Sequence, residues 1–235
     1  MSGVIPSPIR HFGLFFRIPF GTTSRFNHLC NTVYKLSTAM TPLTIGETLF
    51  EAFCNAHGIT WDKIPTGETK TPDYLVTLNG QDVFFEIKQI DKDEEFNIAK
   101  GSRTVGDHVR QRIAKARKQV QVGKKLGVPS VLLIYNNLDP MQLFGTEQHD
   151  FLTAMYGELT VLLKDSRIIE SFHGRNSLLR ENHNTSFSAV GHLRRSTTVP
   201  TIRLYENVFA KNPLPAALVP SCFEYIQVEV KYREH

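Results

Sequence analysis

The sequence predicts an α/β fold, a central mixed β-sheet flanked by helices, and three observations predict it. Tyr74–Leu78 and Gln81–Ile90 form two apolar stretches around Asn79-Gly80, a pair that favours the positive φ of a two-residue hairpin turn. Val109, Ile113, Ala116 and Val120 recur at helical spacing. Val131-Leu132-Leu133-Ile134-Tyr135 is a continuous apolar run, as expected of a strand covered on both faces in a mixed or parallel sheet. A helix between the Glu86 strand and this run becomes the right-handed crossover of a strand–helix–strand unit.

Taken in order, a first helix is expected over residues 45–57, stopping at Gly58, followed by a polar loop through Lys70 and the hairpin of residues 74–90. Asp91-Lys92-Asp93-Glu94-Glu95 is read as a solvated loop with no catalytic role. Asp107 is a suitable N-cap for a helix running to Val122, with Gly123 as its stop. After the buried strand come a helix over 150–156 and a long polar loop from Ser171 to Asn184, of the kind that often carries binding residues. Strands are expected over 185–193 and 201–205, and an edge strand over 225–230.

Composition sets the bounds. A chain of 235 residues that is 41% hydrophobic and 21% charged can bury one sizeable core. No apolar run approaches the ~20 residues of a membrane span. Cys30, Cys54 and Cys222 are odd in number and widely spaced, which suggests neither a disulfide framework nor a zinc cluster and favours the cytoplasm or another reducing compartment. The net charge of +4 resides in residues 1–39, where Arg10, Arg17, Arg25 and Lys35 meet no acidic residue. Residues 1–40 therefore read as a basic extension, either transit-like, with organellar import, or an over-extended start upstream of Met40. Residues 41–235 read as a single domain.

The chemistry is concentrated in the hairpin. Side chains i and i+2 of a strand share a face, so Glu86 and Lys88 point one way while Val83, Phe85 and Ile87 point the other. With Asp73 just ahead of the partner strand, two carboxylates and an amine can converge. Such oxygens suit Mg²⁺, which takes one or two protein carboxylates and completes its shell with water and phosphate oxygens, and the lysine can align an attacking water. Alone, Asp73 after a proline is a turn initiator and Glu86 with Lys88 an exposed strand face. Thr71 and Gln89 are weaker neighbouring candidates.

Other reaction classes lose ground. No histidine pair has the i, i+4 spacing of a zincin helix, no Gly-x-x-x-x-Gly-Lys-Ser/Thr loop cradles a nucleotide phosphate, and no Gly-x-Ser-x-Gly elbow presents a nucleophile. Residues 103–125 hold eight basic side chains against Asp107 alone. Arg110 belongs to this basic run, and His108, Arg112, Lys115 and Gln119 fall in one row beside the apolar stripe. Lys and Arg there can contact a phosphate backbone without reading its sequence, although a basic helix face is more often plain solvated surface.

Pro72-Asp73 followed by Glu86-Ile87-Lys88 resembles the signature of the PD-(D/E)xK, restriction-endonuclease-like nucleases, and is similar to their Holliday-junction resolvase and Mrr-like members. The motif is short, but its context, a helix with a glutamate, a loop, the hairpin and then a basic helix, follows the family order. The resemblance implies a restriction-endonuclease-like core and a glutamate on the first helix, for which Glu47, eleven residues before Gly58, is preferred and Glu51 remains an alternative. It implies a Mg²⁺-dependent DNA endonuclease, Mn²⁺ substituting, with Asp73, Glu86 and Glu47 holding the metal and Lys88 aligning the nucleophile. Arg112, Lys115, Gln119 and Arg110 would contact nucleic acid, and family members often form homodimers. The alternative is a catalytically inactive nucleic-acid-binding or assembly protein on the same fold. DNA versus RNA and endo versus exo cleavage stay open.

Overall fold

A computed structural model of the chain describes residues 42–65, 67, 69–91, 104–139, 141–142 and 144–230. The N-terminal extension, the acidic stretch beyond Asp91 and Arg103 lie outside the described residues. Helix α1 (Ile45–Ala56) leads into strands β1 (Thr60–Lys63), β2 (Tyr74–Leu78) and β3 (Gln81–Ile90). Helix α2 (Asp107–Leu126) then precedes β4 (Ser130–Asn136) and helix α3 (Gln148–Tyr156). Strands β5 (Leu159–Lys164), β6 (Arg167–His173), β7 (Ala189–Arg194), β8 (Thr201–Glu206) and β9 (Phe223–Ile226) complete the chain, with a short 3₁₀ turn at Ala216–Leu218.

Seven strands form one mixed sheet in the order β1-β2-β3-β4-β7-β8-β9. The β2–β3 hairpin is antiparallel, with Asn79 and Gly80 at φ 45° and 85°, the positive-φ turn geometry these two residue types favour. β3, β4 and β7 run parallel, so β4 is enclosed by parallel neighbours, and every residue of its apolar run is buried. The sheet separates two cores. Phe50, Phe53 and Cys54 of α1 pack on Tyr74, Val76, Val83, Phe85 and Ile87, while Val109, Ile113, Ala116 and Val120 of α2 and Phe151 of α3 pack on Leu132, Ile134 and Val190. The alternation along β3 therefore divides its side chains between the cores as expected, with Glu86 and Lys88 turned away from α1.

Several boundaries differ from expectation. α2 continues past Gly123 to Leu126 and ends on Gly127, whose φ of 73° supplies the left-handed cap. Gly123 serves close packing instead: a Cβ there would lie 2.0 Å from Ser130 Oγ and 2.7 Å from the Val128 carbonyl. Asp107 is the first helical residue rather than the cap, which is Gly106, and its carboxylate pairs with Arg110 at 3.0 Å. β1 occupies part of the expected loop, and its mostly exposed residues make it an edge strand. β9 is the opposite edge but covers 223–226 rather than 225–230.

The β5–β6 hairpin forms a separate two-stranded sheet outside the seven. It turns at Asp165-Ser166 and exposes Leu159, Val161, Leu163, Ile168 and Ile169. β6 takes the first residues of the stretch expected to be loop, which thus begins at Gly174. Its ends meet at its base, where Glu158 N–H donates to the Arg175 carbonyl at 3.0 Å and Gly174 N–H to the Glu158 carbonyl at 3.1 Å.

His192 on β7 is buried against the Phe151 ring, with no hydrogen-bond partner for Nε2 among the described residues. Burial first, then Arg194 and Arg203, lower its pKa to about 3. Above the ordinary histidine range neither folded nor unfolded chain is charged here. Below it the unfolded chain gains a proton that the folded one refuses, so stability falls with acidity. His192→Leu should gain about 2 kcal/mol relative to wild type between pH 7 and pH 5 in urea titrations, and a pH-independent gap would refute this. In the same assay Gly123→Ala should cost about 1–3 kcal/mol, because the added methyl meets backbone that cannot yield.

Candidate active site

The site forms where the β2–β3 ladder ends. Pairing runs from Leu78↔Gln81 to Tyr74↔Phe85, and Pro72 then takes the chain away from β3. Asp73 N–H still reaches the Phe85 carbonyl at 3.1 Å, while its carboxylate accepts the Ile87 amide at 2.7 Å. A side chain thus substitutes for the missing strand and is fixed over β3. Asp73 and Glu86 interact directly there, and the Asp73 charge raises the cost of ionising Glu86.

Glu86 is fully buried. Lys88 Nζ, one strand period away, forms an ion pair with Oε1, and apart from that pair neither carboxylate oxygen has a hydrogen-bond donor among the described residues. Burial and then the Asp73 charge push the Glu86 pKa up to about 8, against the pull of Lys88. Asp73 is raised as well, mainly by burial, although the Ile87 amide and Lys88 favour its charged form. Two desolvated carboxylates sharing one ammonium are under-compensated, and a like-charge pair of this kind either holds a proton or attracts a cation.

Glu47 reaches the same region from α1. Its Oε2 accepts the Thr44 backbone amide at 2.8 Å and the Thr44 hydroxyl at 2.9 Å, while Thr44 Oγ1 accepts the Glu47 amide, completing a capping box. Its Oε1 pairs with Lys63 Nζ at 2.8 Å. Burial works to raise its pKa, but Lys63 and Thr44 prevail and hold it low. The Glu47 charge is felt at Asp73, whereas Glu51 accepts the Tyr74 hydroxyl at 2.8 Å and is tied to the core edge. Asp73, Glu86 and Glu47 do not all bring carboxylate oxygens within 4.8 Å of one another. Glu47 borders the pair rather than joining it.

Two neighbours extend the site. Gln89 accepts the Gly46 amide at 2.9 Å and donates to Asp91 at 2.6 Å, binding the start of α1 to the end of β3. Lys63, on the edge strand and over the Tyr74 ring, adds a second ammonium near Asp73 that the sequence did not single out. Its signal would have been β1 itself, whose pairing of Lys63 with Tyr74 sets it beside the motif.

The basic helix divides differently from expectation. Arg112 is buried, and Nε donates to the Gln89 carbonyl at 3.0 Å, so this guanidinium supports the end of β3 instead of lying on the surface. Arg110 is engaged with Asp107 and with the carbonyls of Val105, Asn176 and Thr153. Lys115 is exposed, and the Gln119 amide lies against its own helix, where with its nitrogen turned inward it can donate to the Lys115 and Ala116 carbonyls.

Glu147, His149 and Asp150 gather ligand-type atoms within 4.8 Å of one another. Asp150 is committed there to structure, with Oδ1 accepting the Gly106 amide at 2.8 Å and Oδ2 the Glu147 amide at 3.1 Å at the start of α3. Among the described residues no helix is long and apolar enough to cross a membrane. Comparison of the chain with protein-family models, with curated proteins and with solved structures returns no match.

Glu47 has a structural role separable from any chemical one. Glu47→Ala should cost about 1 kcal/mol by loss of the capping box, whereas Glu47→Gln, which can still accept from Thr44, should cost only a few tenths. Equal losses in thermal unfolding of the two variants would contradict that separation.

Proposed function

We propose that the protein is a metal-dependent nuclease of the PD-(D/E)xK type, a DNA endonuclease in its most specific form, with a restriction-endonuclease-like core inside its mixed sheet. The observation that carries this reading is the pairing of Asp73 with the buried Glu86, whose carboxylate has only the Lys88 ammonium for compensation. A chain gains no stability by burying such a pair, so the arrangement is better explained by what it binds.

Asp73 and Glu86 offer the hard oxygen donors that Mg²⁺, or Mn²⁺ in its place, takes together with water and phosphate oxygens. Such an ion, when bound, supplies Lewis acidity toward a phosphoryl oxygen and lowers the pKa of an attacking water. The Ile87 amide fixes the Asp73 carboxylate in place. Lys88 orients the water that attacks phosphorus or steadies the charge that builds on the phosphoryl oxygens. Hydrolysis forms a bond from the water oxygen to phosphorus, breaks the phosphorus–ester bond, and delivers a proton to the departing oxygen. Glu47, committed to Thr44 and Lys63, contributes negative potential and positions Lys63 beside the pair.

The full chain, incubated with supercoiled plasmid, single-stranded DNA and structured RNA, should give Mg²⁺- or Mn²⁺-dependent products that EDTA abolishes. Lys88→Ala should lower turnover by about 10²-fold or more. Independently of activity, Mg²⁺ at about 100-fold over its dissociation constant should add ~2.7 kcal/mol to wild-type stability, and Asp73→Asn should lose most of that gain. Absence of both cleavage and stabilisation would transfer the protein to the nucleic-acid-binding or assembly reading.

A further inference from the structure

We propose that the outer edge of β5 pairs, antiparallel, with β5 of a second copy of this chain about a two-fold axis at Val161. β5 and β6 form a sheet of two strands only, so β5 has no strand on its other side among the described residues. One face of this sheet carries Leu159, Val161, Leu163 and Ile168, of which Leu163 and Ile168 are 65% and 68% exposed. The opposite face, with Thr160, Leu162 and Phe172, is half-buried. A two-stranded hairpin is marginal in water, and further strands beside it are one way of stabilising it. The interface is independent of what the Asp73–Glu86 pair binds.

β5 rather than β6 is the edge open to pairing. Leu162 pairs with Glu170 and Leu163 with Ile168, so the extra residue of the ladder, Ile169, bulges from β6 while β5 keeps its regular alternation. Bulges and charges blunt a sheet edge, and β6 has both, with Arg167 and Glu170 beside the bulge. Between Glu158 and Lys164, β5 carries no charge, proline or bulge. Glu158 turns both backbone groups toward the base of β6, its N–H donating to the Arg175 carbonyl and its carbonyl accepting the Gly174 amide. By the alternation of an antiparallel ladder, the backbone groups of Leu159 and Val161 then face the open edge, a template for another strand.

A second copy fits that template because β5 complements itself. A two-fold axis perpendicular to the sheet joins residues whose side chains share a face. In the register centred on Val161, Val161 meets its own counterpart, Leu159 meets Leu163, Thr160 meets Leu162, and Glu158 meets Lys164. Apart from the central pair, each of these contacts forms twice. Leu159, Val161 and Leu163 of both copies become a continuous aliphatic stripe in cross-strand contact at the centre of a four-stranded sheet. Glu158 is steadied by the Asn176 side-chain amide at 2.7 Å, and Lys164 is exposed. Slipping the register by two residues sets Glu158 against Leu162 or Ser166 and leaves both charges unmatched, so the charges select the register. One strand edge per copy is well below the ~800 Å² per partner of a standard interface, so the association is weak and depends on concentration.

The test is sedimentation velocity of the full chain at low ionic strength, from roughly 1 to 300 μM. The sedimentation coefficient of the wild type should rise with concentration toward that of a dimer. Glu158→Lys or Lys164→Glu alone sets like charges opposite each other twice and should weaken association about tenfold, whereas the double variant restores both pairs and should return close to wild type. That recovery separates pairing in this register from any effect of either side chain on the hairpin itself. Val161→Cys, whose two copies meet at the axis with Cα atoms about 5.5 Å apart, should form under oxidised glutathione a disulfide dimer that peptide mapping places at position 161. A wild type that stays monomeric at every concentration overturns the proposal and leaves the edge to a strand of another protein. A dimer unchanged in both single variants, a double variant no better than the singles, or a dimer without the link at position 161 overturns it as well.

Discussion

Parallel pairing of β3 with β4 is the constraint from which the rest follows. A parallel pair cannot be closed by a tight turn, so the chain must leave the sheet at Ile90 and return at Ser130, and α2 covers one face during that return. β4 is thereby shut between β3 and β7 and accepts only apolar side chains along its run, while α1 must cover the opposite face. With both faces closed, any polar residue on β3 is either buried or confined to the end of the strand. Glu86 is the residue caught inside that closure, where Lys88 offsets its charge and Asp73 adds to the cost of it.

Those parts of the fold that depend on local rules were legible. Asn79-Gly80 specifies its turn through backbone preference alone, and the alternation of Val83, Phe85 and Ile87 with Glu86 and Lys88 assigns each side chain to a face. β1 was not legible because its four residues are mostly exposed and carry no apolar alternation. The β5–β6 hairpin escaped for a different reason. A register shift between Leu162 and Leu163 breaks its two-residue period, and its aliphatic side chains point into solvent.

For the site, sequence placed Asp73, Glu86 and Lys88 together because strand geometry leaves few other arrangements. It did not reveal that Glu86 would be wholly buried. Nor could a basic helix row disclose Arg112, whose long side chain turns inward to a carbonyl at the end of β3. Periodicity gives the angle of a residue around a helix, and a flexible side chain can depart from that angle by several ångströms. Gly123 was misread similarly: glycine ends helices, but here it admits Ser130 and Val128 to the helix surface.

The base of the β5–β6 hairpin has an architectural consequence. The chain leaves α3 at Gly157 and re-enters the body of the protein at Arg175, and the bonds between Glu158, Gly174 and Arg175 bring exit and entry together. An excursion whose two ends already touch resembles a graft, because neither of its strands pairs with the seven-stranded sheet. Its length and surface are thus free to diverge while the core beneath stays fixed, and the same junction is where a longer module could be spliced into this scaffold without re-registering a single central strand.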